Sequence, residues 1–324
     1  MKSLKVLLLG ACVALCACSS PTSTVQTNDK GTQWQWENGT IVVETPQRPA
    51  DRKSVIGLAL PKMEVVRVGF VGLGMRGPGA VERFTHIPGT QIVALCDYEQ
   101  GRAEACQKYL KQASLPKAAV YSGEKGYEEL CKRDDIDLVY IATDWLHHFP
   151  VAMCAMENGK NVAIEVPSAM NLKECWALVD MSEKTRKHCM MLENCVYDFF
   201  ELTTLNMAQH GLFGDILHVE GSYIHNLEEF WAAYQGNWRL DFNEKSRGDV
   251  YATHGMGPAC QLLDIHRGNK MNYLVSMDTK ALTGPKLVEK INKRDGKDFQ
   301  NGDHTMTMIM TENGQTMHIQ HDVM

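Results

Sequence analysis

The chain of 324 residues alternates short, almost wholly apolar runs with stretches in which apolar residues recur every three or four positions. The runs at 65–71, 91–96 and 137–143 are typical of strands covered on both faces, and the stretches between them are typical of amphipathic helices. Because strand and helix alternate, the pattern predicts a doubly wound α/β domain built on a parallel sheet. We place this domain at 63–195.

The pattern changes after residue 195, which indicates a second domain over 196–324. Alternation of apolar and polar residues from Ile216 to Asn226 is typical of a longer strand of the antiparallel type. The dipeptide Asn313-Gly314 is a strong signal for a two-residue hairpin, and it is expected to join strands at 305–311 and 316–320.

The first residues resemble an export signal. Lys2 and Lys5 precede an apolar stretch from Val6 to Leu15, as in a signal peptide. Leu-x-Ala-Cys at 15–18 resembles the bacterial lipobox and predicts a lipid anchor on Cys18, with an ordinary secretory signal as the alternative. We therefore expect a leader at 1–18, a polar flexible tether at 19–62 and an exported protein anchored to a membrane.

A glycine-rich turn follows the first strand of the α/β domain. Gly72 would allow the tight turn, Gly74 would let backbone amides approach a pyrophosphate, and Gly77 would let the next helix pack closely on the sheet. Asp97 ends the second strand, where a carboxylate can accept hydrogen bonds from both ribose hydroxyls and repel a 2′-phosphate. The turn and the acid together predict binding of NAD in preference to NADP.

Charge and composition exclude other classes of protein. The formal net charge is −6 and no long basic run is present, so we expect no nucleic-acid partner. No pair of histidines has the i, i+4 spacing with a partnering glutamate, so we expect no metal site. The cysteines outside the leader lack zinc-ligand spacing and are interpreted as buried thiols.

Polar residues follow the apolar runs where a doubly wound sheet binds its ligands. With the glycine turn, this arrangement resembles the Gfo/Idh/MocA oxidoreductases, which implies an open, mostly antiparallel sheet in the second domain that carries the substrate. Members of that family usually have Glu-Lys-Pro after strand five, whereas this chain has Val166 in place of the lysine. Val166 can do no acid-base chemistry.

A narrower resemblance, covering about 65–324, is to glycoside hydrolase family 109, the NAD-dependent α-N-acetylgalactosaminidases. It depends on four segments: Glu165-Val166-Pro167, Glu193-Asn194-Cys195, Tyr223-Ile224-His225 and the run from Tyr251 to Pro258. The resemblance implies NAD contacts from Met75, Arg76, Asp97, Asp144, Trp145, Leu146, His147, Glu165, Val166 and Asn194. It implies contacts to the sugar from Tyr223, Arg239, Tyr251, Ala252, Thr253 and His254.

The resemblance also implies a mechanism without the usual pair of carboxylates. A sugar hydroxyl is oxidised at carbon 3, the aglycone is eliminated after loss of the proton at carbon 2, water adds, and reduction returns the sugar with retained configuration. Acid-base roles are expected for His225 or His254, with Tyr197 as a candidate at carbon 2 and Tyr251 in the same group. His147 and His148 are expected to cap a helix or contact the cofactor.

Two other interpretations stay open at this stage. One is a dehydrogenase that releases a keto-sugar and consumes NAD, which Val166 disfavours. The other is an inactive or sugar-binding lipoprotein, because the resemblance leads us to expect a second domain that continues beyond Met324 in its relatives.

Overall fold

The computed structural model describes residues 25–27, 32–43, 45–231 and 238–323. The predicted leader and its Cys18 lie outside these residues. The chain divides into two compact units, one reaching Arg48 and the other starting at Pro49. Within the described part of the chain, no helix has both the length and the apolar character required to cross a membrane.

The first unit contains a small antiparallel sheet in a region where the sequence predicts a flexible tether. Its strands run in the order β1-β2-β3. Asn38 and Gly39, with φ of 52° and 80°, form the turn between the second and third strands, and such left-handed pairs favour a tight hairpin. The strands are β1 (Gln26–Thr27), β2 (Gln33–Glu37) and β3 (Thr40–Val43).

The second unit begins with a parallel sheet of six strands in the order β6-β5-β4-β7-β8-β9, which confirms the predicted doubly wound domain. The strands are β4 (Val66–Val71), β5 (Thr90–Asp97), β6 (Ala119–Ser122), β7 (Leu138–Ile141), β8 (Asn161–Ile164) and β9 (Cys189–Met191). The helices are α1 (Gly77–Phe84), α2 (Gln100–Gln112), α3 (Gly126–Cys131), α4 (Trp145–Glu157) and α5 (Leu172–Thr185).

Apolar side chains cover both faces of this sheet. Phe70 and Leu95 are buried with Leu110 of α2, whereas Val139 and Ile141 belong to a separate cluster that includes residues of α3, α4 and α5. Strands buried on both faces need continuous apolar runs, which explains why their sequence pattern was so clear. Because all the strands are parallel, their carboxyl ends lie at one edge of this well-packed sheet.

A second sheet has four strands in the order β10-β13-β12-β11. Two of its three pairings are antiparallel, and the predicted hairpin at Asn313-Gly314 is confirmed. The strand predicted to be of the antiparallel type instead pairs in parallel with the last one, because alternation along a strand shows which face is solvated but not the direction of its neighbour. The strands are β10 (His218–Ile224), β11 (Met271–Asp278), β12 (His304–Thr311) and β13 (Thr316–Asp322).

The helix that begins at Thr253 packs very closely on this sheet, and this contact fixes the position of the first turn of the helix. A Cβ atom on Gly221 of β10 would lie 2.0 Å from the carbonyl oxygen of Gly255, so the two backbones touch. A short 3₁₀ helix (Asn194–Tyr197) leads from β9 into this region. The α-helices are α6 (Phe199–Gln209), α7 (Glu228–Trp231), α8 (Trp238–Lys245), α9 (Thr253–Leu262) and α10 (Thr283–Asn292).

Candidate active site

The glycine turn after β4 has the geometry of a dinucleotide cradle. Gly72 has a φ of 91°, and a Cβ atom there would lie 2.5 Å from the backbone of Thr143. A Cβ atom on Gly77 would lie 2.0 Å from the carbonyl oxygen of Gly72, whereas one on Gly74 would meet nothing closer than an Arg102 nitrogen at 3.6 Å. Two of the glycines are therefore required by packing, and the middle one leaves the backbone open to a ligand.

Asp97 closes this turn from the neighbouring strand. Its buried carboxylate accepts hydrogen bonds from the backbone nitrogens of Leu73 at 2.7 Å and Glu99 at 2.9 Å. The nearest cation is Arg102, with Nη1 3.8 Å from Oδ1. The chemistry of this cradle fits the diphosphate and ribose of NAD, and Met75 and Arg76 stand between it and α1.

The segment after β7 caps the next helix. Asp144 accepts a hydrogen bond from the backbone nitrogen of Leu146 at 3.0 Å, and its other oxygen lies 2.6 Å from Nδ1 of His147. Leu146 and His147 are exposed, whereas Trp145 points inward and is buried. Of the four residues predicted to contact NAD here, Asp144 shapes the backbone and Trp145 is buried.

The segment after β8 joins the two halves of the site. Glu165 accepts a hydrogen bond from the hydroxyl of Tyr140 at 2.7 Å, and the carbonyl oxygen of buried Val166 accepts one from the hydroxyl of Tyr251 at 3.3 Å. His148 lies behind this segment with Nδ1 2.6 Å from the carbonyl oxygen of Pro167, and burial lowers its pKa. His148 thus fixes the strand ends and does not face the site.

Aromatic rings surround a buried arginine where the two sheets approach. Tyr251 stacks on Trp145 with centroids 5.2 Å apart and planes 11° apart. The guanidinium of Arg239, on α8, lies 4.6 Å from the centre of the Tyr251 ring and 5.2 Å from that of Trp145. One of its nitrogens donates to the hydroxyl of Tyr223 at 3.4 Å. Aromatic faces and an arginine are suited to a sugar ring and its polar substituents.

His254, in the first turn of α9, lies against the same rings. Its centroid is 5.0 Å from that of Tyr223, with planes 28° apart, and 5.0 Å from that of Tyr251. Its Nδ1 lies 2.5 Å from Oε1 of Glu193. Ala252 precedes α9 and Thr253 opens it, so these residues shape the turn that carries His254.

Two other predicted acid-base residues have different surroundings. His225 follows β10 and is exposed, with its ring 4.5 Å from that of Tyr223. Tyr197 is 56% exposed at the end of the 3₁₀ helix that Asn194 begins. Across the residues that the structure describes, Tyr197 makes no ring contact with the cluster around Arg239.

Sequence reasoning missed several side chains of the site. His321 of β13 is buried and stacks on Tyr223 with centroids 5.9 Å apart, and burial, with help from Arg239, lowers its pKa to about 4. The signal was present, because His321 follows Met317 and Ile319 at the inward positions of an alternating strand. Trp238 and Phe242 of α8 also contact the edge of Trp145, each at 5.1 Å.

Glu193, Cys195 and His254 have ligand-type atoms within 4.8 Å of one another, and they are the group best suited to a metal ion among the described residues. The separation of 2.5 Å between Glu193 and His254 is a hydrogen bond, shorter than the roughly 3.3 Å between two ligands of one zinc ion. Burial raises the pKa of the Cys195 thiol to about 11, so the thiol is protonated when no metal ion is bound. The cluster is therefore better described as a hydrogen-bonded group.

A parallel sheet with a glycine cradle, joined to an open sheet that carries an aromatic site, defines a protein of the Gfo/Idh/MocA oxidoreductase class. Residues 66–193 match the family described as "Oxidoreductase family, NAD-binding Rossmann fold". Residues 197–324 match "Glycosyl hydrolase 109, C-terminal domain". The chain belongs to glycoside hydrolase family 109, and its first domain is an NAD-binding domain.

Relatives agree with this assignment, and solved structures share the fold. Glycosyl hydrolase family 109 protein 4 of Phocaeicola vulgatus is 68% identical over all of this chain and 64% of its own length. Family 109 protein 1 of Bacteroides fragilis is 62% identical over all of this chain and 67% of its own length. The chain thus spans about two thirds of the length of these relatives. Myo-inositol dehydrogenase from Lactobacillus casei, solved with NAD(H) and myo-inositol, shares the fold at 20% identity and a TM-score of 0.60, over 80% of this chain and 68% of its own.

Proposed function

We propose that this protein hydrolyses terminal α-linked N-acetylgalactosamine by reversible oxidation of the sugar. The observation that carries the proposal is the position of Tyr251, which donates to the Val166 carbonyl at 3.3 Å and stacks on Trp145. Through Tyr251 the aromatic site of the second domain adjoins the strand ends of the NAD-binding domain. A sugar held there would lie beside a bound nicotinamide ring.

NAD, when bound, would supply the removal and return of a hydride at carbon 3 of the sugar. The cradle of Gly72, Gly74 and Gly77 fits its diphosphate, and Asp97 fits its adenosine ribose. The rest of the chemistry falls to side chains of this chain. They must hold the sugar, accept the carbon 2 proton once a carbonyl at carbon 3 has acidified it, and deliver a proton to the leaving oxygen.

His254 is the residue best placed to move protons. It is held between Tyr223 and Tyr251, close to the buried guanidinium of Arg239. Arg239 and Tyr223 would orient the ring hydroxyls or the acetamido group, because a guanidinium donates in a fixed plane. Val166 occupies the position where oxidoreductases of this class usually carry a lysine, so proton transfer shifts to the second domain.

The decisive experiment uses NAD-loaded protein that begins at residue 19 and a chromogenic α-N-acetylgalactosaminide in deuterated water. We expect release of the chromophore, deuterium at carbon 2 of the released sugar and no net NADH. Net NADH with a released keto-sugar would instead indicate a dehydrogenase. Saturable sugar binding without any release would indicate a binding protein.

We also propose that the protein is exported and anchored to a membrane through lipid on Cys18. The support is the leader at 1–18, with its lysines, apolar stretch and lipobox-like end. In the bacterial host, labelled palmitate should enter the wild-type protein but not the Cys18→Ser variant. Secretion of unlabelled wild-type protein would favour an ordinary secretory signal.

A further inference from the structure

Glu193 is a buried carboxylate that lies just beyond β9, at the border of the two domains. Its Oε1 accepts a hydrogen bond from the Cys195 backbone nitrogen at 3.1 Å and lies 2.5 Å from Nδ1 of His254. The side chains of Glu193 and His254 are only 7% and 10% exposed. Since the oxygen of an ionised carboxylate can only accept, this contact requires the hydrogen to be on Nδ1.

The opposite ring nitrogen of His254 is left free for chemistry. Among the described residues, no hydrogen bond reaches Nε2, and this atom is absent from the polar atoms that are both buried and unpaired. It therefore keeps some exposure, and the rings of Tyr223 and Tyr251 lie beside the imidazole, each with its centroid 5.0 Å away. With hydrogen held on Nδ1, Nε2 carries the lone pair of the neutral ring.

Close packing holds the carbon chain of Glu193 against α9. A Cβ atom on Gly257, one turn along α9 from His254, would lie 2.8 Å from Cγ of Glu193 and 3.0 Å from Val196. The helix that carries His254 thus packs directly on the carbon chain of Glu193. A glycine at this position lets the two residues meet at hydrogen-bond distance.

Glu193 is also an unusual choice for a purely structural residue. Its Oε2 is buried without a hydrogen-bond partner among the described residues, although an unsatisfied buried carboxylate oxygen is costly. No lysine or arginine forms an ion pair with Glu193 in the described part of the chain. The cost is offset when His254 becomes an imidazolium, because the carboxylate then has an adjacent opposite charge.

We infer that Glu193 is a positioning residue that holds His254 in the Nδ1-protonated form and stabilises its imidazolium, so that Nε2 accepts the substrate proton. This inference rests on the proposed function for the identity of the substrate. The electron pair of Nε2 takes the proton from carbon 2, the electrons of that C–H bond move into the sugar, and Glu193 remains ionised. The same proton can then pass from Nε2 to the leaving oxygen.

The first test needs no turnover. Protein labelled with ¹⁵N-histidine is measured by long-range ¹H–¹⁵N NMR, and the His254→Gln variant assigns the His254 signals. We expect wild-type His254 to carry its hydrogen on Nδ1, and the Glu193→Gln variant to show a mixture of tautomers, because an amide can donate as well as accept. A wild-type ring protonated only on Nε2 would overturn the inference, and this result depends on no variant.

The second test uses hydrolysis of the chromogenic substrate. We expect Glu193→Gln to lower kcat about 100-fold with KM changed less than about threefold, and Glu193→Asp to recover part of the loss. The matched control is Glu244→Gln, because Glu244 is a buried carboxylate of the second domain that pairs with Arg294 instead of a histidine. This control should leave the hydrogen on Nδ1 of His254, as in the wild type, and should keep kcat within about twofold of the wild-type value.

The two tests separate this inference from the proposed function. Absence of hydrolysis by the wild type would count against the proposed function, while the NMR result would still decide whether Glu193 fixes the ring. Equal kcat values in the wild type and Glu193→Gln, with one unchanged tautomer, would overturn the positioning role.

Discussion

The site has two halves that are constructed differently. The cofactor half is the turn at residues 72–77 with Asp97, and the sugar half is the group of side chains around Arg239. The cofactor half is formed mainly by backbone atoms. Gly72 and Gly77 have no room for a side chain, and Asp97 accepts hydrogen bonds from two backbone nitrogens. In the sugar half, large side chains from separate elements meet around Arg239. One half is a turn in a single segment, and the other is assembled by the tertiary fold.

This difference determines how each half should respond to change. A backbone cradle fails when a single atom is added in the wrong place, because the chain around it cannot move apart. A side-chain cluster distributes its energy over many contacts, so the loss of one hydroxyl should be tolerated. Substitutions in both halves test this contrast.

The largest effect is expected for Gly77→Ala. Its Cβ atom would lie 2.0 Å from the Gly72 carbonyl oxygen, so the turn or α1 must shift. We expect the free energy of unfolding to fall by about 3 kcal/mol or more, with loss of NAD binding. Chemical denaturation and fluorescence titration with NAD measure the two quantities.

Gly74→Ala is the matched control from the same turn. Its Cβ atom has room, since the nearest atom is an Arg102 nitrogen at 3.6 Å. The unfolding free energy should change by less than about 0.5 kcal/mol, while NAD should bind more weakly if the diphosphate passes over this glycine. Equal losses of stability in both variants would contradict a cradle in which only Gly77 is required by packing.

The second prediction concerns His321, which tests whether the sugar half is closed to water. Burial lowers its pKa from 6.5 to about 4. Between these pH values the histidine is protonated in the unfolded chain and neutral in the folded chain. Stability should therefore be complete above pH 6.5 and fall by up to about 3 kcal/mol as the pH drops to 4. Unfolding measured across this range should show a smaller loss in His321→Phe than in the wild type, because buried His148, whose pKa is also lowered, contributes equally to both proteins.

His318→Phe provides the comparison, because His318 points to the opposite face of β13 and is more exposed. Its stability should follow the wild-type pH dependence. Parallel curves for all three proteins would mean that His321 is hydrated in solution, and the sugar half would then be less closely packed than the cofactor half.

The charge of Asp97 is the next feature of the cofactor half to test. Asp97→Asn keeps the shape of the carboxylate but removes its charge and one acceptor, and both of its oxygens are in use. We expect NAD to bind about tenfold more weakly and the preference for NAD over NADP to narrow, because hydrogen bonds to charged groups contribute roughly 1.5–3 kcal/mol. Glu99→Gln, an exposed neighbour, should bind NAD like the wild type, and equal effects in both variants would contradict a specific role for Asp97.

The same contrast explains what the sequence could predict. Apolar runs and glycine spacing predicted the parallel sheet and its cradle, because each signal lies within one short segment. Asn313-Gly314 predicted a hairpin in the second domain, yet the equivalent Asn38-Gly39 was overlooked because its polar surroundings suggested a tether. Local turn chemistry was informative in both places.

The sugar half was harder to predict for a physical reason. Trp145, Arg239 and His321 come from three distant segments, and only the packing of both sheets brings their side chains together. The family resemblance supplied Tyr223, Arg239 and His254 but gave no reason for Glu193, whose hydrogen bond to His254 depends on the bare backbone of Gly257. Contacts between residues that are about 60 positions apart along the chain leave no periodic signal in a single sequence.

The smallest effect is expected for Tyr251→Phe. The change removes the 3.3 Å hydrogen bond to the Val166 carbonyl but keeps the ring that stacks on Trp145 and faces Arg239. A hydrogen bond of this kind contributes about 0.5–1.5 kcal/mol, so kcat/KM should fall less than about tenfold. Tyr197→Phe, with an exposed hydroxyl, is the parallel variant for the other candidate tyrosine. If kcat in Tyr251→Phe fell more than about 100-fold at unchanged Tm, the hydroxyl would take part in proton transfer, and one atom of the sugar half would then be as indispensable as a glycine of the cradle.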